Sequence, residues 1–237
     1  LGAVLDILFS VQPLWLSMPL FALAGCLAAT ALVIWIAFHT KLQSQRSLVL
    51  AGIMISLFCG SMVLLLMVRL KPFELQSAIH WMMGQVGGER AAWWPLPLFA
   101  LASAALWSIF RHRDMDRLLL GEDVAITLGT QVQKIQKQVV LIVALLCSAA
   151  VSVAGLIGFV GLLAPHFALL GGRSHRHALF LPASSLTGAL ILLIADILAR
   201  ILGGDQELPA GGLIALVGAP LLIFFMIRRL SPGVQND

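Results

Sequence analysis

Charged side chains are scarce in this chain of 237 residues, and their scarcity limits what the protein can be. Only 11% of the residues are Asp, Glu, Lys or Arg, 60% are hydrophobic, and the mean hydropathy is +0.99. A soluble domain carries about 25% charged residues. The composition therefore excludes a soluble enzyme and a disordered chain. Because one membrane span takes about 20 apolar residues, it predicts a polytopic membrane protein with about seven crossings.

Catalytic motifs are missing as well. The sequence contains no G-x-x-x-x-G-K-[ST] phosphate loop, no H-E-x-x-H metal motif and no G-x-S-x-G nucleophile motif. Tyrosine is absent, and the three cysteines lie apart inside apolar runs, without a CxxC pair. We therefore expect no catalytic residue and no metal site in this chain. Transport and binding are the functions that remain.

Polar and Gly/Pro-containing breaks divide the chain into apolar runs. The interrupted stretch 70–93 predicts a loop with a short interfacial helix, and 111–137 is the longest polar connection. Leu1 lies inside an apolar run without Met or a signal-peptide pattern, so we expect the sequence to begin within a membrane helix. The predicted runs are 1–9, 13–38, 47–68, 94–110, 138–156, 158–171, 178–202 and 210–227.

The distribution of basic residues orients these runs. With the C-terminus in the cytoplasm, 11 of the 15 Lys and Arg fall in cytoplasmic connections, three (Arg69, Lys71 and Arg90) lie on the opposite side, and Arg200 lies within a span. Cytoplasmic connections of membrane proteins are enriched in Lys and Arg, so this orientation is predicted. The 11 are Lys41, Arg46, Arg111, Arg113, Arg117, Lys134, Lys137, Arg173, Arg176, Arg228 and Arg229.

Asp196 and Arg200 are the charged pair inside a predicted span. Their spacing of four residues places them on one helix face, with the acid first, as an ion pair prefers. Charged residues within a span are functional candidates. The alternative is a self-neutralised pair whose arginine reaches the nearby interface. Arg200 falls close to the predicted external turn, where it would meet an acidic partner or substrate.

Gly121 and Gly129 bracket about two turns of predicted helix on the cytoplasmic side. Glu122 and Asp123 occupy its first turn, where the helix dipole favours negative charge. This segment is either a docking element for a cytoplasmic partner or an interfacial linker helix.

Further along, Gly158-Phe159-Val160-Gly161 followed by Pro165 is typical of close helix packing in lipid, with a break or kink at the proline.

Several ordered motifs resemble those of the FecCD-type permeases, the membrane subunits of ABC importers for ferric siderophores, haem and cobalamin. The similarity covers nearly the whole chain. It rests on Trp81–Gly84, Gly121-Glu122-x-x-Ala125-x-x-Leu128-Gly129, Gly158-Phe159-Val160-Gly161-Leu162-x-x-Pro165-His166, Leu181-Pro182, Ala195-Asp196-x-x-Ala199-Arg200, Glu207-Leu208-Pro209-x-Gly211 and Gly218-Ala219-Pro220.

This resemblance implies an all-α transmembrane bundle, the type II ABC importer permease fold, with about ten helices in a complete subunit. The chain would form one permease domain over 1–237 that lacks the first two to three helices, with 111–137 as its cytoplasmic coupling loop. A homodimer in the bacterial inner membrane, two cytoplasmic ATPase subunits and a periplasmic solute-binding protein are implied. ATP and magnesium would be bound by the ATPase and no cofactor by this chain, and no nucleic acid is involved.

Residue roles follow from the same resemblance. Arg200 would dock the binding protein by pairing with a glutamate, and Ser44 and Gln45 fall where the family has a cytoplasmic gate. The residues of the ATPase coupling helix would be Gly121, Glu122, Ala125, Leu128 and Gly129. The structural motif would comprise Gly158, Gly161, Pro165, Asp196, Pro209, Gly218 and Pro220.

Two other classes stay open from the residues alone. An ion-driven secondary transporter would use the Asp196–Arg200 pair, and a structural membrane scaffold would have no ligand-dependent activity. Dependence on ATP or on an ion gradient distinguishes the two transporters. The sequence contains no recognisable group of ligand-binding residues that would identify the substrate. Iron chelates are favoured because they are the family's commonest cargo.

Overall fold

Every regular element that the computed structural model describes is an α-helix, over residues 1–9, 14–39, 45–84, 94–170, 176–203 and 208–230. The prediction of an all-α chain is confirmed. The helices are α1 (Gly2–Phe9), α2 (Leu14–His39), α3 (Gln45–Met67), α4 (Pro72–Met83), α5 (Pro95–Leu118), α6 (Glu122–Thr127), α7 (Val132–Ala154), α8 (Val160–Leu170), α9 (His177–Gly203) and α10 (Ala210–Leu230).

Four helices are long and apolar enough to cross a membrane, judged by length and composition among the described residues. Two shorter apolar segments, Val160–Leu169 in α8 and Ala210–Phe225 in α10, accompany them. A multi-pass membrane protein is thereby supported, while the number of seven crossings stays a prediction. The four candidate spans are Pro19–Ile36, Val49–Met67, Val132–Ala154 and His177–Gly203.

Helix boundaries differ from the sequence prediction around the polar connection 111–137. The helix predicted to leave the membrane at 110 continues to Leu118 as α5. Asp114 accounts for this extension, because its two carboxylate oxygens each lie 3.1 Å from an arginine Nη1, on Arg111 and Arg117. Pairs three residues apart stabilise a helix surface, so a polar sequence here is still helical.

Pro165 does not end the helix that contains it. The sequence between 138 and 171 divides at 155–158, as predicted, and α8 then runs through Pro165 to Leu170. Proline is tolerated inside membrane helices because neighbouring groups satisfy the backbone acceptor that it leaves open. The division coincides with a left-handed backbone at Gly155 (φ 73°) and Phe159 (φ 67°).

The chain forms two compact units, the first comprising Leu1–Met82 and Gly87–Gly155. Within it, α2 packs against α1, α3 and α7, and α7 also packs against α5. Val4, Ile7, Val63 and Trp81 belong to its buried apolar core. Small residues let the helices approach closely: a Cβ atom on Gly2 would collide with the backbone of α2, so this position requires glycine.

The second unit comprises Met83–Val86 and Leu156–Asp237, and its core is the packing of α9 with α8 and α10. Leu163, Ala195 and Ile214 are buried at its centre. On α10, a Cβ atom at Gly218 would lie 2.9 Å from a methyl carbon of Leu163 and 3.1 Å from the Cβ of Phe159. The Gly218 motif and the Gly158–Pro165 motif are therefore packing partners.

A junction of three backbone segments lies within this second unit. A Cβ atom on Gly211 would stand 2.6 Å from the carbonyl oxygen of Met83 and 3.1 Å from that of Leu156, and one on Gly84 would stand 2.6 Å from the Leu156 oxygen. Gly84 also has φ +70°, which L-residues other than glycine rarely adopt. Two motifs that are distant in sequence thus meet at one carbonyl group.

Alanine at Gly211 is expected to destabilise the protein by about 1–3 kcal/mol, because its Cβ would displace backbone atoms of the junction. The neighbouring Gly212→Ala variant is the control, since among the described residues a Cβ there would meet Pro209 Cγ alone, at an ordinary 3.5 Å. Thermal unfolding in detergent should give a lower midpoint for Gly211→Ala than for Gly212→Ala. Equal midpoints would contradict the close approach.

Candidate functional site

The short helix α6 is set between two glycines with left-handed backbones. Gly121 has φ 104° and Gly129 has φ 81°, both in the region where a Cβ atom is disfavoured. Glycine at both ends lets the chain turn sharply out of α5 and again before α7. The sequence prediction of two helical turns between these glycines is confirmed, and α6 covers Glu122–Thr127.

Backbone hydrogen bonds fix the C-terminal end of α6. The N–H of Thr130 donates to the carbonyl of Ala125 at 2.9 Å, and that of Gly129 donates to the carbonyl of Ile126 at 2.9 Å. This is the Schellman pattern, in which a glycine after the last helical turn satisfies carbonyl groups that lack helical partners. Thr130 is itself only 6% exposed. The end of α6 is therefore a defined turn.

The two faces of α6 differ in burial. Ala125 is 0% exposed and faces the protein. By contrast, Val124, Ile126 and Leu128 are 44%, 60% and 50% exposed. Val124 and Ile126 lie on opposite sides of the six-residue helix, and Leu128 follows its last residue, so the exposed apolar side chains surround the inward methyl group of Ala125. We call the side chains of Val124, Ile126 and Leu128 the outward face of α6.

Side-chain hydrogen bonds attach α6 and its C-terminal turn to the helices on either side. Gln136 on α7 donates its Nε2–H to Oε1 of Glu122 at 2.9 Å. Arg117, near the end of α5, places Nη1 3.5 Å from Oγ1 of Thr130, at the long end of hydrogen bonding. Both contacts lie in the first compact unit, so α6 is joined to α5 and α7 beyond its chain links.

A groove of about 630 Å³ adjoins α6 and the first turns of α7. Ile126 and Thr130 are among the residues that line it, and Lys134 and Lys137 in the same lining supply positive charge. The surface near the outward face thus combines apolar area with cationic groups.

The Asp196–Arg200 pair forms within α9, as the four-residue spacing predicts. The Nε–H of Arg200 donates to Oδ2 of Asp196 at 2.9 Å. The Arg200 side chain is 68% exposed, whereas that of Asp196 is 20% exposed. The acid thus holds the guanidinium in a defined orientation at the last turns of α9, where much of it faces outward.

The remaining predicted residues occupy different surroundings. Gly218 is buried by the packing described above, but a Cβ atom on Gly158 or Gly161 would meet no atom within 4 Å in the described part of the chain. Pro209 precedes α10, and Pro220 lies inside it, as Pro165 does in α8. Ser44 lies outside the described residues, and Gln45 begins α3.

Asp6 is a buried acid that the sequence analysis did not identify. It is 0% exposed on α1 and accepts a hydrogen bond from Ser17 Oγ at 2.9 Å. Within the described ranges its other oxygen, Oδ1, has no hydrogen-bond partner. One acid in a nine-residue apolar run was the available signal, since ionisable residues in such runs are rare.

The described residues show no group of three or more His, Cys, Asp or Glu side chains placed to hold a metal ion. The segment α6 provides no reactive group. It provides exposed apolar contact area and is held to the rest of the first unit by hydrogen bonds.

Comparison with known proteins identifies the class. The FecCD transport family matches residues 1–228. The chain is 34% identical over 209 residues to the vitamin B12 import system permease protein BtuC of Vibrio cholerae, covering 88% of this chain and 62% of that protein. It is 35% identical over 216 residues to the Fe(3+) dicitrate transport system permease protein FecD of Escherichia coli, covering 89% and 65%.

Two further relatives agree with this assignment. The ABC transporter permease protein YvrB of Bacillus subtilis is 35% identical over 222 residues, covering 92% of this chain and 61% of that protein. A solved structure of a metal-chelate type ABC transporter in an inward-facing conformation superimposes with a TM-score of 0.81 at 28% identity, covering 96% of this chain and 71% of that one.

The fold and these relatives define an all-helical chain with the type II ABC importer permease fold. The chain belongs to the FecCD transport family, which confirms the resemblance found in the sequence. The chain spans 61–65% of the length of these three curated relatives.

Leucine at Ala125 is expected to lift α6 from its base, because the Ala125 methyl group is fully buried and leucine adds three more carbons there. Overpacking of this kind costs about 1–3 kcal/mol. Trypsin digestion of the detergent-purified protein should then cleave faster after Arg117 and Lys134, which flank α6.

Val124→Leu is the matched control, since Val124 is 44% exposed one position earlier. Its cleavage rate should equal that of the unmodified protein. Equal rates for Ala125→Leu and Val124→Leu would show that Ala125 does not anchor α6.

Proposed function

We propose that this chain is the transmembrane permease subunit of an ATP-driven importer that moves an iron chelate, haem or a corrinoid across the bacterial inner membrane. Membership of the FecCD family supports transport, and relatives named for vitamin B12 and for ferric dicitrate support this range of cargo. The chain itself supplies no catalytic residue. Its substrate specificity would reside largely in a separate binding protein.

The observation that carries this proposal is the outward face of α6. Three exposed apolar side chains, two on α6 and one at its C-terminal turn, lie on a segment with a fixed base, and a partner can cover them at little conformational cost. Under the proposal, α6 sits in a cleft of a cytoplasmic ATPase, with Gly121, Glu122, Ala125, Leu128 and Gly129 as the coupling residues. Lys134 and Lys137 beside it favour a cleft with an acidic rim.

The proposed assembly contains two copies of this chain, two ATPase subunits and one periplasmic binding protein. ATP and magnesium bind the ATPase, and its closure moves α6. The predicted orientation places the C-terminus and α6 in the cytoplasm and Arg200 on the periplasmic side. The cytoplasmic gate at Ser44 and Gln45 stays a prediction.

Purification of the full-length tagged protein in mild detergent tests the proposal. A P-loop ATPase should co-purify in stoichiometric amount, and its ATP hydrolysis should rise when a loaded binding protein is added. Ile126→Asp should abolish co-purification, because it places a charge on the outward face where Ile126 is 60% exposed. Gln76→Asp on α4, on the predicted opposite side, should leave it unchanged.

A permease that purifies without an ATPase would contradict the proposal. Uptake driven by a proton or sodium gradient would then favour the alternative, a secondary transporter that uses Asp196 and Arg200. If the same amount of ATPase co-purified with Ile126→Asp and with Gln76→Asp, α6 would not be part of the interface with the ATPase.

Arg200→Glu is expected to weaken docking of the binding protein about tenfold or more, because it replaces attraction to an acidic partner with repulsion. Basal ATP hydrolysis should persist, since Arg200 lies far in sequence from α6. The measurement is the concentration of loaded binding protein that half-maximally stimulates ATP hydrolysis. Arg69→Glu, an exposed arginine also predicted on the periplasmic side, is the control.

An unchanged half-maximal concentration with Arg200→Glu would exclude the docking role. An equal shift with Arg69→Glu would reduce the role of Arg200 to general surface charge.

A further inference from the structure

The two ends of α6 are held in different ways. The C-terminal end is fixed by the backbone bonds of Gly129 and Thr130 to Ile126 and Ala125. The N-terminal end follows Gly121 (φ 104°), whose N–H donates to the carbonyl of Leu118 on α5 at 3.2 Å and whose carbonyl accepts from the N–H of Ala125 at 3.0 Å. Backbone hydrogen bonds therefore join the N-terminal end of α6 to α5 and close its C-terminal end in the turn before α7.

Gln136 attaches the N-terminal end of α6 to α7 as well. Its amide donates to Glu122, the first residue of α6, at 2.9 Å, and it is the side chain that holds Glu122 within the described ranges. Gln136 lies in the second turn of α7, which is itself one of the four candidate membrane spans. The bond therefore connects the N-terminal end of α6 directly to a span.

We infer that Gln136 is a positioning residue that makes α6 and α7 move as one body, so that displacement of α6 by a partner reaches the membrane. This inference rests on the proposed function, because it presupposes an ATPase that moves α6. Gln136 touches no reacting group. It acts through Glu122, and its effect is mechanical coupling.

Exchange of the hydrogen-bonding partners provides the test. In Gln136→Glu, two carboxylates face each other and the attachment is lost. In Glu122→Gln/Gln136→Glu, an amide again faces a carboxylate, with the donor now on α6, and net charge equals that of the unmodified chain. Gln131→Glu is the control for charge, since Gln131 is exposed before α7 and makes no side-chain bond to Glu122 in the described structure.

The measurement is amide hydrogen exchange in the complex of the full-length chain with its ATPase, with and without ATP and vanadate. In the unmodified complex, trapping should change exchange both in 122–130 and in 132–140. In Gln136→Glu the change in 122–130 should persist and that in 132–140 should be lost, while α6 amides exchange about fivefold faster. The double variant and Gln131→Glu should behave as the unmodified complex.

Transmission to 132–140 in Gln136→Glu, or its loss in Gln131→Glu, would overturn the inference. Failure of the double variant to restore transmission would do the same. Gln136→Ala, which removes the amide without adding charge, replaces Gln136→Glu if that variant does not assemble. Absence of a co-purifying ATPase, or no change in 122–130 of the unmodified complex, would instead refute the proposed function.

Discussion

The absence of water inside a bilayer is the constraint on which this structure depends. Backbone groups in that environment must be hydrogen-bonded within the chain, so the long apolar runs form helices. Helices in lipid gain little from burying apolar side chains and associate through close packing of small residues. Gly2, Gly211 and Gly218 serve this purpose, since a side chain at each would meet a neighbouring helix or backbone.

Polar groups are concentrated in the connection 111–137 of the first unit, where the apolar requirement is relaxed. Asp114 joins two arginines and carries α5 beyond its apolar stretch. The chain then turns at Gly121, forms α6 and turns again at Gly129 before α7. The proposed coupling function follows from this arrangement. A short helix with an inward methyl group and exposed apolar side chains is suited to contact a partner.

Much of the fold was predictable because apolar runs, glycines and prolines report directly on helices and their ends. The short helix in 70–93, the helix between Gly121 and Gly129 and the division near 156 all occur in the structure. The boundary of α5 was not predictable from hydropathy, since charged residues that pair with one another support a helix as well as apolar ones do. Asp6 was missed because its partner Ser17 is on another helix.

The sequence by itself determined the class of the protein: an all-helical, multi-pass membrane chain of the FecCD transport family, with α6 between its two glycines. Tertiary structure alone decided which groups meet. It placed Gly84 and Gly211 at the carbonyl of Leu156, turned Ala125 inward and Ile126 outward, and set Gln136 against Glu122. The reason is physical: composition and spacing fix the local conformation of a segment, whereas contacts between segments depend on how their surfaces fit.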